Sequence, residues 1–384
     1  MQLSTERILT THVGSLPRDD RVLDFLRARE DARDHDERAF GAALRAAVDS
    51  AVARQVEIGI DVVSDGEMSK VGYATYVTER LSGFAGHHAR LPSLDLAPHP
   101  DLREAMERMV GKQAFKRAAC VGPVARIDDA GLRRDLENLR AAADAHRPVD
   151  AFVNAASPGV VAAFQPNRYY ATHEQYVDAI AAAMRPEYEA VVAAGFVLQI
   201  DCPDLAMARH TGFQQLTEAA FLDRARYQVE ALNRAVANIP ANAMRMHVCW
   251  GNYEGPHDHD IPLEKILDIV LAAKPAGILF EAANPRHRHE WSVWRGAAIP
   301  EDKVLIPGCL MSTTNYVEHA ELVAEQICRY ADIVGRERVI AGADCGFGTF
   351  AGLWRVAPAI AYKKLRALVE GAELASRRLW GRAR

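Results

Sequence analysis

Short apolar runs and longer helical patterns alternate along most of the chain. This constrains the fold more than any other feature, because such alternation is the signature of βα units around a parallel sheet. The runs predicted as strands are Arg7–Val13, Ile60–Ser64, Phe115–Val121, Val149–Val153, Val197–Ile200, Ala243–Val248, Gly277–Phe280, Val304–Ile306 and Arg338–Ala341. They are one more than an eight-stranded barrel needs, and Val149–Val153 is assigned as the surplus, a hairpin or edge segment. Between the runs, Phe40, Leu44, Val48, Val52 and Val56 recur at helical spacing, and Gly59 follows where a helix-ending glycine belongs. Gln175–Ala194, Thr217–Ala237, Ile261–Ala273, Tyr316–Val334 and Pro358–Glu373 read as further helices. Gly83–Pro100, rich in Gly, Pro and His, reads as a long loop or excursion. The expected fold is α/β, a single (β/α)8 TIM-type barrel domain over 1-384 with an N-terminal insertion or excursion.

Composition narrows the partners. Hydrophobic residues make up 49% and charged residues 25%, enough for a large core. Lys and Arg total 46 against 51 acidic residues, so there is no global attraction to nucleic acid or to an anionic membrane. The opening residues carry no apolar stretch of signal-peptide length, and no later segment approaches a membrane span. The six cysteines, at 120, 202, 249, 309, 328 and 345, are too sparse for a secreted disulfide scaffold and suit reduced thiols. A cytoplasmic location is expected, and homo-oligomer formation is left open.

In a barrel of this kind the chemistry sits at the C-terminal ends of the strands. Arrayed there are His12–Ser15, Asp65–Glu67, Asp201–Cys202, His247–Cys249, Glu281, Cys309 and Asp344–Cys345. His247 and Cys249 stand at i and i+2, so their side chains leave a strand on the same side. With Glu281 and Cys345 they make four ligands of the kinds zinc accepts, and the thiolates disfavour magnesium and calcium. The expected cofactor is Zn2+, held by His247, Cys249, Glu281 and Cys345. The histidines of 256–259 and 286–289 lack sulfur partners and read as solvated loop or rim residues. Cys309 reads as a buried neighbour of the site.

The residues at these strand ends resemble the cobalamin-independent methionine synthase family, specifically its C-terminal catalytic barrel. Thr10-Thr11-His12-Val13-Gly14-Ser15-Leu16-Pro17-Arg18 is similar to that family's opening strand and loop, and Asp61-Val62-Val63-Ser64-Asp65-Gly66-Glu67 to its second. Leu198-Gln199-Ile200-Asp201 resembles the acidic strand end. His247-Val248-Cys249, Phe280-Glu281 and Asp344-Cys345-Gly346 resemble the segments that carry the zinc ligands. The resemblance implies a zinc-dependent S-alkyltransferase, in which a small-molecule thiol such as homocysteine takes a methyl group from an alkyl donor. It implies that Glu281 is the labile ligand, that Ser15 meets the substrate carboxylate and that Glu67 and Asp201 hold its ammonium. Catalytic candidates are His12, Glu67 and Asp201.

The chain also departs from the family pattern. It is about half the length of the two-barrel enzyme. The family's Asp-Glu-Pro becomes Asp201-Cys202-Pro203, with Asp204 standing in for the lost carboxylate. The segment resembling the family's pterin loop runs Gly122-Pro123-Val124-Ala125-Arg126-Ile127-Asp128, without the stacking tryptophan. Arg286 and Trp291 are the expected substitutes for donor contact. A donor other than methyltetrahydrofolate, a corrinoid or an activated small electrophile, is therefore expected. The alternative reading is thiol addition to an epoxide, as in the related epoxyalkane:coenzyme M transferases.

Overall fold

Among the described residues, eight parallel strands close into a ring. The computed structural model describes residues 1–88, 92–110 and 117–381. Its strands are β1 (Leu9–Thr10), β2 (Val62–Ser64), β3 (Phe84–Ala85), β4 (Ala119–Cys120), β5 (Asp150–Ala156), β6 (Val197–Asp201), β7 (Met244–Val248), β8 (Gly277–Phe280), β9 (Val304–Pro307) and β10 (Ile340–Ala341). A parallel sheet runs β2-β5-β6-β7-β8-β9, and β1 pairs with β10. Single bridges, Thr11 to Val62 on one side and Leu305 to Val339 and Gly308 to Gly342 on the other, join these two groups into a barrel.

The structure corrects the choice of surplus strand. β5, which takes in all but the first residue of the Val149–Val153 run, is a full barrel strand between β2 and β6. The extra hairpin is β3 with β4, an antiparallel pair in the excursion that follows β2. The start of the Phe115–Val121 run lies outside the described residues. Of the excursion, Pro100–Val110 is helical.

Helices pack around the ring for reasons visible in their sequences. In Glu37–Ile58, Asp36 caps the N-terminus by accepting from the Arg38 and Ala39 N–H groups, and Gly59 ends the helix at φ 102°. The predicted stripe of Phe40, Leu44, Val48 and Val52 is buried. Ala320–Val334 begins later than predicted, leaving Tyr316 outside it and 76% exposed. No helix among the described residues is long and apolar enough to cross a membrane.

The barrel interior carries a buried polar layer. The Arg245 guanidinium lies 3.6 Å from the Phe152 ring centroid and donates to Gln199 Oε1 (2.8 Å), Thr11 Oγ1 (2.9 Å) and the His12 carbonyl (3.0 Å). Burial lowers its pKa to about 9. Gln199 in turn donates to Asp201 Oδ1 at 2.9 Å, so this layer is the floor on which the site is built.

Candidate active site

A cavity of about 840 Å3 opens at the C-terminal ends of the strands. Ser15, Glu67, Asp201, His247, Cys249 and Cys345 all reach it. Three of them converge: the ligand atoms of His247, Cys249 and Cys345 lie within 4.8 Å of one another, all buried. Strand alternation sets His247 and Cys249 on one side of β7, and the turn after β10 brings Cys345 across to them.

The Cys249 and Cys345 sulfurs stand 3.8 Å apart. Two thiolates at about 2.3 Å from one tetrahedral zinc ion would be separated by about 3.8 Å, so the spacing fits that metal. Electrostatics points the same way. The Cys249 thiol is pushed up by its hydrogen bond to Cys345, by burial and by the negative charges of Cys345 and Glu281. A thiol in that company keeps its proton, and a cation bound among these groups would be needed to favour the thiolate.

The immediate surroundings hold the ligands in place. His247 Nε2 is 3.1 Å from the Asp344 carbonyl, and its Nδ1 is 3.7 Å from Asp201 Oδ1. The Gly251 N–H donates to Cys249 Sγ at 3.3 Å. Asp344 ties the Cys345 turn to the loop after β8: Oδ1 accepts from the Ala282 and Ala283 N–H groups at 2.8 Å each, and Oδ2 from the Asn284 N–H and side-chain amide at 2.9 Å each. Glu281 is buried beside this group but outside the three-ligand cluster. Its Oε1 accepts from the Trp250 N–H at 2.7 Å and its Oε2 from the Asn284 amide at 2.8 Å.

Glu67 sits on a strained turn. Gly66 and Glu67 have φ of 69° and 56°, the left-handed region that a side chain such as Glu rarely adopts. Arg18 fixes the turn, donating to the Glu67 carbonyl (3.1 and 2.8 Å), the Lys70 carbonyl (2.8 Å) and the Gly348 carbonyl (2.5 Å). Glu67 Oε2 is buried and has no hydrogen-bond partner among the described residues. Burial pushes its carboxyl up to about 7, with Lys70 opposing and Asp201 adding to the rise. Asp201 is held by the Asn154 amide, 3.1 Å from Oδ2, and by Gln199. Gly346 is required beside Ser15, because a Cβ there would collide with the Ser15 hydroxyl oxygen.

Other expectations meet different geometry. His12 is buried, does not line the cavity, and has both ring nitrogens occupied, Nε2 by Gln55 Oε1 (2.7 Å) and Nδ1 by the Gly14 N–H (3.1 Å). Burial, relieved in part by Gln55, lowers its pKa to about 4. It shapes the turn that presents Ser15 and is not placed to exchange a proton with substrate. Arg286 does not line this cavity: it is exposed, donates to the His257 carbonyl, and lines an adjoining cavity of about 180 Å3 that shares Asn252, Ser312 and Cys345 with the main one and also reaches Glu281. Trp291 lines neither cavity: it is partly buried against the hydrophobic core, with the Arg295 and Arg329 guanidinium groups over its ring. Asp204 is turned to the Ser157 hydroxyl at 2.6 Å and does not line the cavity. Cys309 is buried, as expected.

His257 and His287 are not solvated. Both are buried, with His257 Nδ1 3.2 Å from both Asp260 oxygens, His287 Nε2 3.0 Å from Asp260 Oδ2 and His287 Nδ1 2.9 Å from Glu290 Oε2. The carboxylates that pair them are buried too, which is why these loop histidines turn inward. Sequence reasoning quoted Arg18 and Asp344 without seeing that their work is to hold other site residues, and it missed Asn154 and an aromatic group of Tyr73, Phe164 and Phe350 on the cavity wall.

The comparisons agree with this geometry. The family model for the catalytic domain of cobalamin-independent synthases matches residues 8–94 and 146–373, leaving out much of the excursion. A methionine synthase of Saccharolobus solfataricus is 24% identical over 379 residues, covering 95% of this chain and 94% of the relative. One of Thermococcus kodakarensis is 25% identical over 371 residues, with 96% and 94% covered. In fold, the chain is similar to a B12-independent methionine synthase from a Shewanella species solved with selenomethionine, at a TM-score of 0.71 and 19% identity, covering 98% of this chain and 99% of that one. With the family model spanning well over half of its length, the chain belongs to the cobalamin-independent methionine synthase family.

Proposed function

We propose that the protein is a zinc-dependent S-methyltransferase acting on homocysteine or a closely similar amino-acid thiol. The observation that carries this reading is that three soft ligands, His247, Cys249 and Cys345, share one cavity floor with two buried carboxylates, Glu67 and Asp201. Bound there, zinc supplies acidity to a coordinated thiol, so that a thiolate exists at neutral pH. Glu281 is the fourth ligand that gives way to the substrate. Its two oxygens already have donors in the Trp250 N–H and the Asn284 amide, so leaving the ligand set strands no buried charge.

The chain's own residues orient the thiol. Glu67 Oε2, buried and without a hydrogen-bond partner among the described residues, and Asp201, held by Asn154 and Gln199, accept the substrate ammonium. The Ser15 hydroxyl donates to its carboxylate. The excursion after β2 lines the same cavity through Arg103, Met106 and Glu107, which supports treating 1-384 as one catalytic domain. Similarity over nearly the whole length of the methionine synthases of Saccharolobus solfataricus and Thermococcus kodakarensis supports the same reaction class.

Proton release tests the reading. Zinc-loaded protein mixed with homocysteine should release a proton, whereas coenzyme M, a thiol with a sulfonate and no ammonium, should respond far more weakly. Equal responses to the two thiols would overturn the amino-acid assignment.

A further inference from the structure

One buried amide ties together the three residues proposed for the amino-acid end of the thiol. Asn154 stands on β5, in register with Gln199 of β6, and is buried without lining the cavity. Its Nδ2 donates to Asp201 Oδ2 at 3.1 Å and to the Val13 carbonyl, two residues before Ser15, at 2.8 Å. A carboxylate and a carbonyl both accept, so the nitrogen end of the amide faces them. Its backbone carbonyl accepts from Lys70 Nζ at 2.6 Å. Lys70 closes the turn of Glu67, its N–H donating to the Glu67 carbonyl at 3.1 Å. Asp201, Ser15 and Glu67 are thus all referred to one residue on a central strand.

The contacts leave little play. Gly14, between Val13 and Ser15, has φ of 134°, and a Cβ there would stand 2.1 Å from Asn154 Oδ1. Only glycine lets the chain lie this close to the amide, so the place of Ser15 follows that of Asn154. Lys70 is itself buried, with its Nζ 4.4 Å from the Tyr76 ring centroid, which holds the turn of Glu67 from the other end.

We propose that Asn154 is a positioning residue that makes the site selective for one hand of an α-amino acid, by fixing Glu67 and Asp201 relative to the Ser15 hydroxyl. This rests on the reading of the site as one for an amino-acid thiol. The α-carbon of such a substrate carries an ammonium, a carboxylate and a sulfur-bearing side chain. These meet three places: Glu67 with Asp201, Ser15, and the cluster of His247, Cys249 and Cys345. When the three places are fixed, one enantiomer reaches them all and its mirror image reaches two. When they can shift, either hand is accommodated, so selectivity depends on the buried support and not on the contacts alone. Gln199 also donates to the Val13 carbonyl and to Asp201, so a chain lacking the Asn154 amide keeps both acceptors partnered and loosens the site without dismantling it.

Calorimetry on the full-length, zinc-loaded protein tests this with L-methionine, D-methionine and the desamino analogue methylthiobutyrate. The unaltered protein should bind L-methionine at least about tenfold more tightly than either of the others, the worth of one hydrogen bond to a charged group. Asn154→Ala should weaken L-methionine by about that factor and leave D-methionine and methylthiobutyrate nearly unchanged, so that the preference for one hand is lost. Asn154→Ser, which keeps a donor, should show an intermediate preference and serves if the alanine variant does not fold. An equal loss for all three ligands would overturn the proposal and leave Asn154 a role in the fold alone, and so would an unchanged preference in the variants. If the unaltered protein binds L-methionine no better than methylthiobutyrate, the amino-acid reading itself fails. If it favours L-methionine over methylthiobutyrate but not over D-methionine, that reading stands and only this proposal fails.

Discussion

Asp201 and His247 are register partners on β6 and β7, and Asp201 Oδ1 stands 3.7 Å from His247 Nδ1. One carboxylate therefore faces both a proposed metal ligand and the place proposed for the substrate ammonium. Partners of this kind orient an imidazole and raise its basicity, and losing one typically costs about 10–100-fold in metal affinity. Asp201→Asn should lower zinc affinity by about that factor, measured by competition with a chelating dye. Unchanged affinity would show that the two halves of the site are independent.

The metal assignment predicts one zinc per chain in protein purified without chelator. Cys249→Ser and Cys345→Ser should each lower affinity by more than the roughly 100-fold an outer partner is worth, because they remove a ligand itself. Glu281→Gln should keep most of the metal, since three ligands converge without Glu281. Elemental analysis decides it, and full metal in Cys345→Ser would remove the assignment.

The barrel was legible because βα alternation is a local pattern, and the candidate cluster of His247, Cys249 and Cys345 because His and Cys at strand ends are unusual residue types in a position the fold makes special, whereas Glu281, expected with them, lies outside that cluster. Val149–Val153 was misread because β5 continues as Asn154-Ala155-Ala156, polar and small residues that lack the β-branched signature of a strand. The aromatic group left no trace, since Tyr73, Phe164 and Phe350 lie far apart in sequence and meet only in the folded barrel. Arg18 was invisible as a support because it acts on backbone carbonyls, which every residue has. His257 and His287 looked solvated because no local pattern marks Asp260 and Glu290 as their buried partners.

Arg80 anchors the segment that carries Glu67 and Tyr73. Its guanidinium is buried between Glu187 Oε1 at 2.8 Å and Asp135 Oδ2 at 2.7 Å, and the Tyr76 hydroxyl donates to the same Glu187 oxygen at 2.8 Å. Removing one partner from a buried ionic group leaves the others uncompensated, at about 3–5 kcal/mol. Arg80→Met should lower unfolding stability by about that amount in urea titrations, and a loss under about 1 kcal/mol would mean that the carboxylates find other partners.

Glu67 should make ligand binding depend on pH. Its carboxyl is pushed by burial from 4.5 up to about 7 in the folded protein. Between those values the folded chain keeps a proton that the unfolded chain has lost, so this group favours folding at acid pH and the advantage disappears as pH rises through about 7. A ligand ammonium beside the carboxylate reverses the preference, because it stabilises the ionised form. Methionine has the ammonium but no thiol proton, which isolates this effect from thiol ionisation. Its affinity should rise by up to about tenfold per pH unit below pH 7 and level off above it. Glu67→Gln should flatten that rise and weaken methionine binding at pH 8 by roughly 10–100-fold, the value of a hydrogen bond to a charged group. The desamino analogue, methylthiobutyrate, should show neither the pH dependence nor the loss. If the variant weakens both ligands equally, Glu67 does not hold the ammonium and its strained turn serves the fold alone.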